Sequence, residues 1–195
     1  MAWPRKLSNP NQVPAAAINA APSVPLSVTA VSGNALATAS WDPPANINGS
    51  AITGYTATAY DANNVAKGTC TTLAPIATCT VSGLTNGAPY TFKVTATNGI
   101  GTSLASLASS AVIPSTVPNP PTAVSAAPLD GGATVSFTAP VNNGGSAITG
   151  YAIYRNNVLV TTVSAATLSY LDTNGVTGLT NGMSYFWSVR AVNGI

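Results

Sequence analysis

Cys70 and Cys79, the only two cysteines in the chain, stand nine positions apart and are its first candidates for chemistry. Structural zinc takes four Cys or His ligands, and a chain with no His and no third Cys cannot assemble that set. A thiol nucleophile would lack the His that ordinarily activates it. What remains is a disulfide, with two free small core residues as the alternative. The disulfide closes a short loop, is worth about 2.5–3 kcal/mol in the chain-entropy model, and implies an oxidising final location.

Acid–base chemistry has little to work with. Asp42, Asp61, Asp130 and Asp172 are the only carboxylate side chains, and Glu is absent. Catalysis needs convergent groups that move protons, and calcium takes several clustered carboxylates. Asp61 and Asp130 lie close to Asn or Gly, Asp172 precedes Thr173-Asn174-Gly175, and Asp42 opens Asp42-Pro43-Pro44. Each reads as a turn-forming side chain that bonds its own backbone. No catalytic residue, metal site or cofactor is expected, and the chain is read as non-enzymatic.

Arg5, Lys6, Lys67, Lys93, Arg155 and Arg190 bring the net charge to +2. Only Arg5 and Lys6 are adjacent, so no stripe tracks a phosphate backbone, and nucleic acid is discounted as a partner. Charged residues make up 5% of the chain, against about 25% in an average soluble protein. A neutral surface of Thr, Ser, Asn and Gly repels its own copies weakly and loses little side-chain entropy when covered, which suits an assembly or an array. No apolar run approaches the roughly 18 residues of a membrane span. Nor does the start resemble a signal peptide, because the stretch from Val13 to Ala21 is broken by Pro14 and Asn19.

The elements that position these residues emerge from an internal repeat. Gly49-Ser50-Ala51-Ile52-Thr53-Gly54-Tyr55 recurs unchanged as Gly145-Ser146-Ala147-Ile148-Thr149-Gly150-Tyr151, 96 residues on. Leu84-Thr85-Asn86-Gly87 recurs as Leu179-Thr180-Asn181-Gly182, and Asn98-Gly99-Ile100 as Asn193-Gly194-Ile195, each 95 residues on. One register joins all three motifs, and its period is that of a whole domain rather than a solenoid unit. Within each copy apolar residues alternate, as in Ala37, Ala39 and Trp41 or Tyr185, Trp187, Val189 and Ala191. Alternation punctuated by Gly, Asn and Pro predicts short strands of a sandwich.

These motifs resemble the fibronectin type III family, in the versions found along bacterial secreted proteins and phage virion proteins. Trp41-Asp42-Pro43-Pro44 is similar to the family's strand B tryptophan and its proline-rich turn, and Ile52-Thr53-Gly54-Tyr55 to the start of strand C. Leu84 to Asn98 resembles the E–F corner and strand F, which implies that Tyr90, and Tyr185 in the second copy, bonds back to the backbone near the preceding Leu. Copy two departs from the pattern with Phe137 in place of the tryptophan. The expected architecture is all-β: an extended N-terminal arm over 1–23, an immunoglobulin-like sandwich over 24–116, and a second over 117–195. Leu104 to Ile113 is expected to form strand G of the first domain, while the second is expected to lack its strand G. Trp41, Tyr55, Leu84, Tyr90, Phe137, Tyr151, Leu179 and Tyr185 are the expected core.

Exposed aromatic residues stack on sugars, but the strand aromatics, Trp187 among them, fall at positions the alternation buries. Only Tyr60, Tyr154 and Tyr170 are undetermined, so carbohydrate binding is unsupported. The first functional expectation is a structural protein on the outside of a larger assembly, a phage virion surface above all. Its arm would anchor it to protein partners through Trp3, Arg5 and Lys6. The alternative is a secreted bacterial cell-surface adhesin, or spacer and accessory domains of a polysaccharide-degrading enzyme. In either case the location is extracellular. The open edge of domain two is expected to be covered by further chain or by a partner's strand, such as the Ala-rich arm of another copy.

Overall fold

The computed structural model describes residues 19–173 and 178–195. The expected anchoring residues Trp3, Arg5 and Lys6 lie outside the described residues. Among the described residues, twelve strands form four antiparallel three-stranded sheets, which face each other in pairs as two sandwiches. In domain one, β1 (Leu26–Gly33), β2 (Leu36–Asp42) and β5 (Thr78–Ser82) make one sheet, and β4 (Ala66–Leu73), β3 (Ile52–Tyr60) and β6 (Thr91–Asn98) the other. Domain two repeats the plan. There, β7 (Thr122–Leu129), β8 (Gly132–Thr138) and β11 (Ser169–Asp172) face β10 (Val158–Ser164), β9 (Gly150–Arg155) and β12 (Trp187–Val192).

The alternation fixes which face each strand buries. Along β6, Phe92, Val94 and Ala96 point inward while Thr91, Lys93, Thr95 and Thr97 point out, and β3 buries Tyr55, Ala57 and Ala59 in the same way. Alanine at 37, 39, 57, 59 and 96 leaves room between the sheets that Trp41, Tyr55, Tyr90 and Phe92 fill. The Trp41 and Tyr55 rings lie 5.4 Å apart, and Phe137 and Tyr151 make the equivalent pair in domain two at 4.8 Å. Burial of each such side chain contributes about 2–3 kcal/mol. Leu84, Tyr90, Phe137, Tyr151 and Leu179 are buried, whereas Tyr185 and Trp187 are half-buried. Both corner hydroxyls accept a backbone hydrogen bond, Tyr90 from the Thr85 N–H (3.1 Å) and Tyr185 from the Thr180 N–H (3.2 Å). The β9–β10 hairpin turns on Asn156 and Asn157, both at positive φ, as a two-residue hairpin loop requires.

Cys70 on β4 and Cys79 on β5 form a disulfide. Their strands belong to opposite sheets, so the bond staples the two faces of domain one along one side.

The segment expected to be strand G takes a different form. Residues 103–111 are buried at every third position, at Ser103, Ser106 and Ser109, and exposed between, so that Leu104 and Leu107 stand 84% and 89% in solvent. Each serine uses backbone and side chain together. The N–H groups of Ser103, Ser106 and Ser109 donate to the carbonyls of Ala96, Val94 and Phe92 at 2.8–2.9 Å. Their hydroxyls accept from the N–H groups of the same three residues at 3.0 Å. Each hydroxyl then donates to the next carbonyl in its own segment. Three residues thus advance against two of β6, one extra residue per step in the manner of a repeated bulge, and the hydroxyl supplies the acceptor that an ordinary ladder would take from the backbone.

Residues 20–23, at the end of the expected arm, lie against domain one. The Ser23 N–H donates to the Asn46 carbonyl at 2.9 Å, and the Ala20 carbonyl accepts from the Asn98 side chain at 2.9 Å.

Candidate functional site

The ionisable groups occupy separate places. Asp61 caps the β3–β4 turn, accepting from the N–H groups of Asn63 and Val65 at 2.9 Å each and pairing with Lys67 at 3.0 Å. The Val65 N–H and the Lys67 ammonium hold its carboxyl below the usual carboxylate range. Asp130 accepts from the Asn181 amide and so ties the β7–β8 turn to the Leu179–Gly182 turn. Asp42 is the exposed last residue of β2.

The turn expected at Asp172 lies partly outside the described residues. Asp172 ends β11 facing inward with no exposed surface, and its two oxygens accept from the Arg155 guanidinium and the Trp187 indole N–H at 2.8 Å each. Arg155 in turn lies over the Tyr185 ring. A buried carboxylate is tolerated only with such partners, and strands β9 and β12 of the opposite sheet deliver them. Among the described residues, no three Cys or Asp side chains meet where a metal ion could sit.

Of the undetermined tyrosines, Tyr170 packs against the second core. Tyr60 and Tyr154 lie on the outer faces of β3 and β9, where Lys93 and Arg190 stack over their rings at 5.0 and 4.7 Å. One face of each ring is therefore already occupied by a cation, which leaves less of it for a sugar.

One copy of each repeated motif lies at the joint between the domains. Asn193, buried in the second Asn-Gly-Ile motif, donates its amide to the carbonyls of Thr116 (2.8 Å) and Asn143 (3.0 Å). The linker is thereby clamped to the loop that opens Gly145-Ser146. The Thr116 N–H donates to the Gly144 carbonyl (2.8 Å) and the Asn119 N–H to Asn142 (3.0 Å). From the other side, the Leu84–Gly87 turn of domain one reaches the same loop. Gly87 and Gly145, at φ +86° and +83°, touch so closely that a Cβ on Gly145 would collide with the Gly87 nitrogen. Asn98 makes the equivalent clamp in domain one, on Ala20 and Ile47. Sequence reasoning found the Asn-Gly-Ile repeat without assigning it a role. The recurrence of a polar triplet beside a strand end was the available signal.

Residues 20–112 match the family model described as the fibronectin type III domain. Chitinase A1 of Niallia circulans is 35% identical over 183 residues, covering 88% of this chain and 23% of that protein. Endoglucanase B of Cellulomonas fimi is 34% identical over 170 residues, covering 81% of this chain and 15% of that protein. The chain thus spans less than a quarter of the length of these relatives. Among solved structures, the FN1–FN3 domains of chicken CNTN1 align with a TM-score of 0.47 at 18% identity, over 89% of this chain and 62% of that one.

Proposed function

Because the chain is a tandem of fibronectin type III domains, we propose that it is a non-catalytic spacer within a secreted protein that acts on polysaccharides, where it holds other parts of that protein at a set separation. The observation that carries this reading is the joint. The Asn193 side-chain amide on backbone carbonyls and the Gly87–Gly145 backbone contact bind the linker and both domains, an arrangement suited to keeping direction along an array. Support for the polysaccharide context comes from two of the relatives, a chitinase and an endoglucanase. They favour the second expectation from the sequence over the first, and the virion surface draws no support from them. The Cys70–Cys79 disulfide fits an oxidising, extracellular location.

A spacer touches the substrate neither by chemistry nor by strong binding. Incubated with insoluble chitin and with cellulose, the chain should release no reducing sugar and stay in the supernatant after centrifugation. Hydrolysis would make it an enzyme. Retention in the pellet at micromolar protein would make it a binding module, and the spacer reading would fall.

A further inference from the structure

An open sheet edge invites a strand from outside, and native proteins blunt it with Lys, Pro, a bulge or a covering segment. In domain one the outer strand β4 carries Lys67 and is stapled to β5 by the Cys70–Cys79 disulfide. Its counterpart in domain two is β10, the outer neighbour of β9. β10 holds no charge, no Pro, no Gly and no Cys, and among the described residues no strand lies on its far side. The whole stretch from Asn156 to Leu171 is uncharged. Because β9 separates β10 from β12, a segment that paired with β12 would leave the β10 edge untouched.

The composition of β10 suits pairing. Five of its seven residues, Val158, Val160, Thr161, Thr162 and Val163, are β-branched, the type that extended pairing favours. Of the other uncharged outer strands, β5 is stapled to β4, β7 holds Pro128, and β1 gives its Gly33 carbonyl to the Ser115 N–H. β10 has one register shift, between Leu159 and Thr161, after which Thr161–Ser164 pairs residue by residue with Ile153, Ala152, Tyr151 and Gly150. The direction of its backbone groups follows from β9. The Asn156 N–H donates to the Phe186 carbonyl (2.9 Å), on the β12 side. Directions alternate along a strand, so Ile153 and Tyr151 turn their N–H and C=O groups to β10, onto Thr161 and Val163. Thr162, between those two, faces the open edge with both backbone groups. Its side chain is exposed on the outer face, while Val163 packs against the core.

We propose that β10 is a self-association edge, which pairs antiparallel with β10 of a second copy about a two-fold axis at Thr162 and joins two three-stranded sheets into one. The Thr162 N–H and C=O of each copy would bond those of the other. The two hydroxyls would then stand side by side, as those of Thr38 and Thr80 do across β2 and β5 at 2.8 Å. Two observations select a second copy as the occupant. The row of the sheet through Thr162 runs on to Ala152 and Arg190, so the nearest charge on it stands two strands in and identical edges meet without repulsion. A foreign strand is selected by pockets for its side chains or by charge, and an edge of Val, Thr, Leu and Ser carries no charge to select with. One strand pair buries less than the roughly 1,200–2,000 Å² of a standard interface, so dimers are expected on the order of 0.1 mM chain.

The test is sedimentation velocity of the intact chain from about 10 μM to about 1 mM. Monomer should give way to dimer across that range, with the Thr162 amide protected from hydrogen exchange at the upper end. Thr162→Lys sets like charges opposite each other across the axis and should weaken association about fivefold, as should Thr162→Glu. Both variants should keep the Ile153 amide protected, which shows that domain two is folded. Mixed in equal amounts at low salt, they should associate more tightly than either alone, since unlike charges then meet across the axis. The proposal is overturned if the chain stays monomeric at about 1 mM, if either charged variant dimerises like the parent, or if the mixture does not recover. Species larger than a dimer would mean a contact that does not close on itself, and would overturn the two-fold pairing too.

Discussion

A carboxylate with no exposed surface, such as Asp172, persists only where partners replace the water it has lost, and here a guanidinium and an indole N–H do so at 2.8 Å each. Asp172→Ala should therefore destabilise domain two by about 3 kcal/mol, because it strips the carboxylate from a partly buried Arg155 and leaves the Trp187 N–H without its acceptor. Hydrogen exchange of the chain in rising urea would read the loss separately in each domain. A change below about 0.5 kcal/mol, the range of ordinary surface substitutions, would show that the ion pair carries no net stability. Local sequence offered no view of this site. Asp172 stands before Thr-Asn-Gly as a turn residue would, and Arg155 and Trp187 lie 17 and 15 positions away, brought to it by the way two sheets face each other. The core aromatics were legible for the opposite reason. Trp41 and Tyr55 lie in strands, and Tyr90 directly before one, whose period-two pattern shows the buried face without any knowledge of the neighbour.

At the scale of one element, residues 103–112 illustrate where pattern reading stops. Leu104 and Leu107 are large apolar residues of a segment expected to be a strand, yet they face solvent, and Ser103, Ser106 and Ser109 are the buried positions. A period of three belongs neither to an α-helix nor to a simple strand. The Ser-x-x-Ser-x-x-Ser spacing was visible in the sequence, but its meaning rests on the unpaired N–H groups of β6. Two substitutions separate the readings. Ser106→Ala removes the acceptor of the Val94 N–H and should cost domain one about 1–3 kcal/mol, the penalty of a buried donor left unpaired. Leu107→Ser, at a position 89% exposed, should stay within about 0.5 kcal/mol. Hydrogen exchange of the β6 amides in rising urea would rank them, and a larger loss for Leu107→Ser would restore an ordinary strand with Leu107 inward.

Across the whole molecule, the 96-residue period announced two domains, while the joint between them had to be seen, because the Leu-Thr-Asn-Gly turn of one domain meets the loop of the next only in space. The same repeat supplies an internal control for testing that joint. Gly87 and Gly182 occupy equivalent turns at φ +86° and +81°, so a side chain placed on either meets the same backbone strain. Only Gly87 has a neighbour: its Cβ would lie 3.2 Å from the Gly145 Cα, whereas that of Gly182 would meet nothing within 4 Å. Gly87→Val and Gly182→Val should thus cost their own domains alike, about 1–2 kcal/mol for a non-glycine residue held in the left-handed region. Gly87→Val alone should also push the backbones apart and strain the Asn193–Thr116 clamp. Small-angle scattering of the chain should then show a broader spread of interdomain distances for Gly87→Val, with Gly182→Val superimposing on the parent. Identical curves for all three would mean that the glycine contact does not hold the domains in line, and a rigid spacer would have to be sought in the clamp alone.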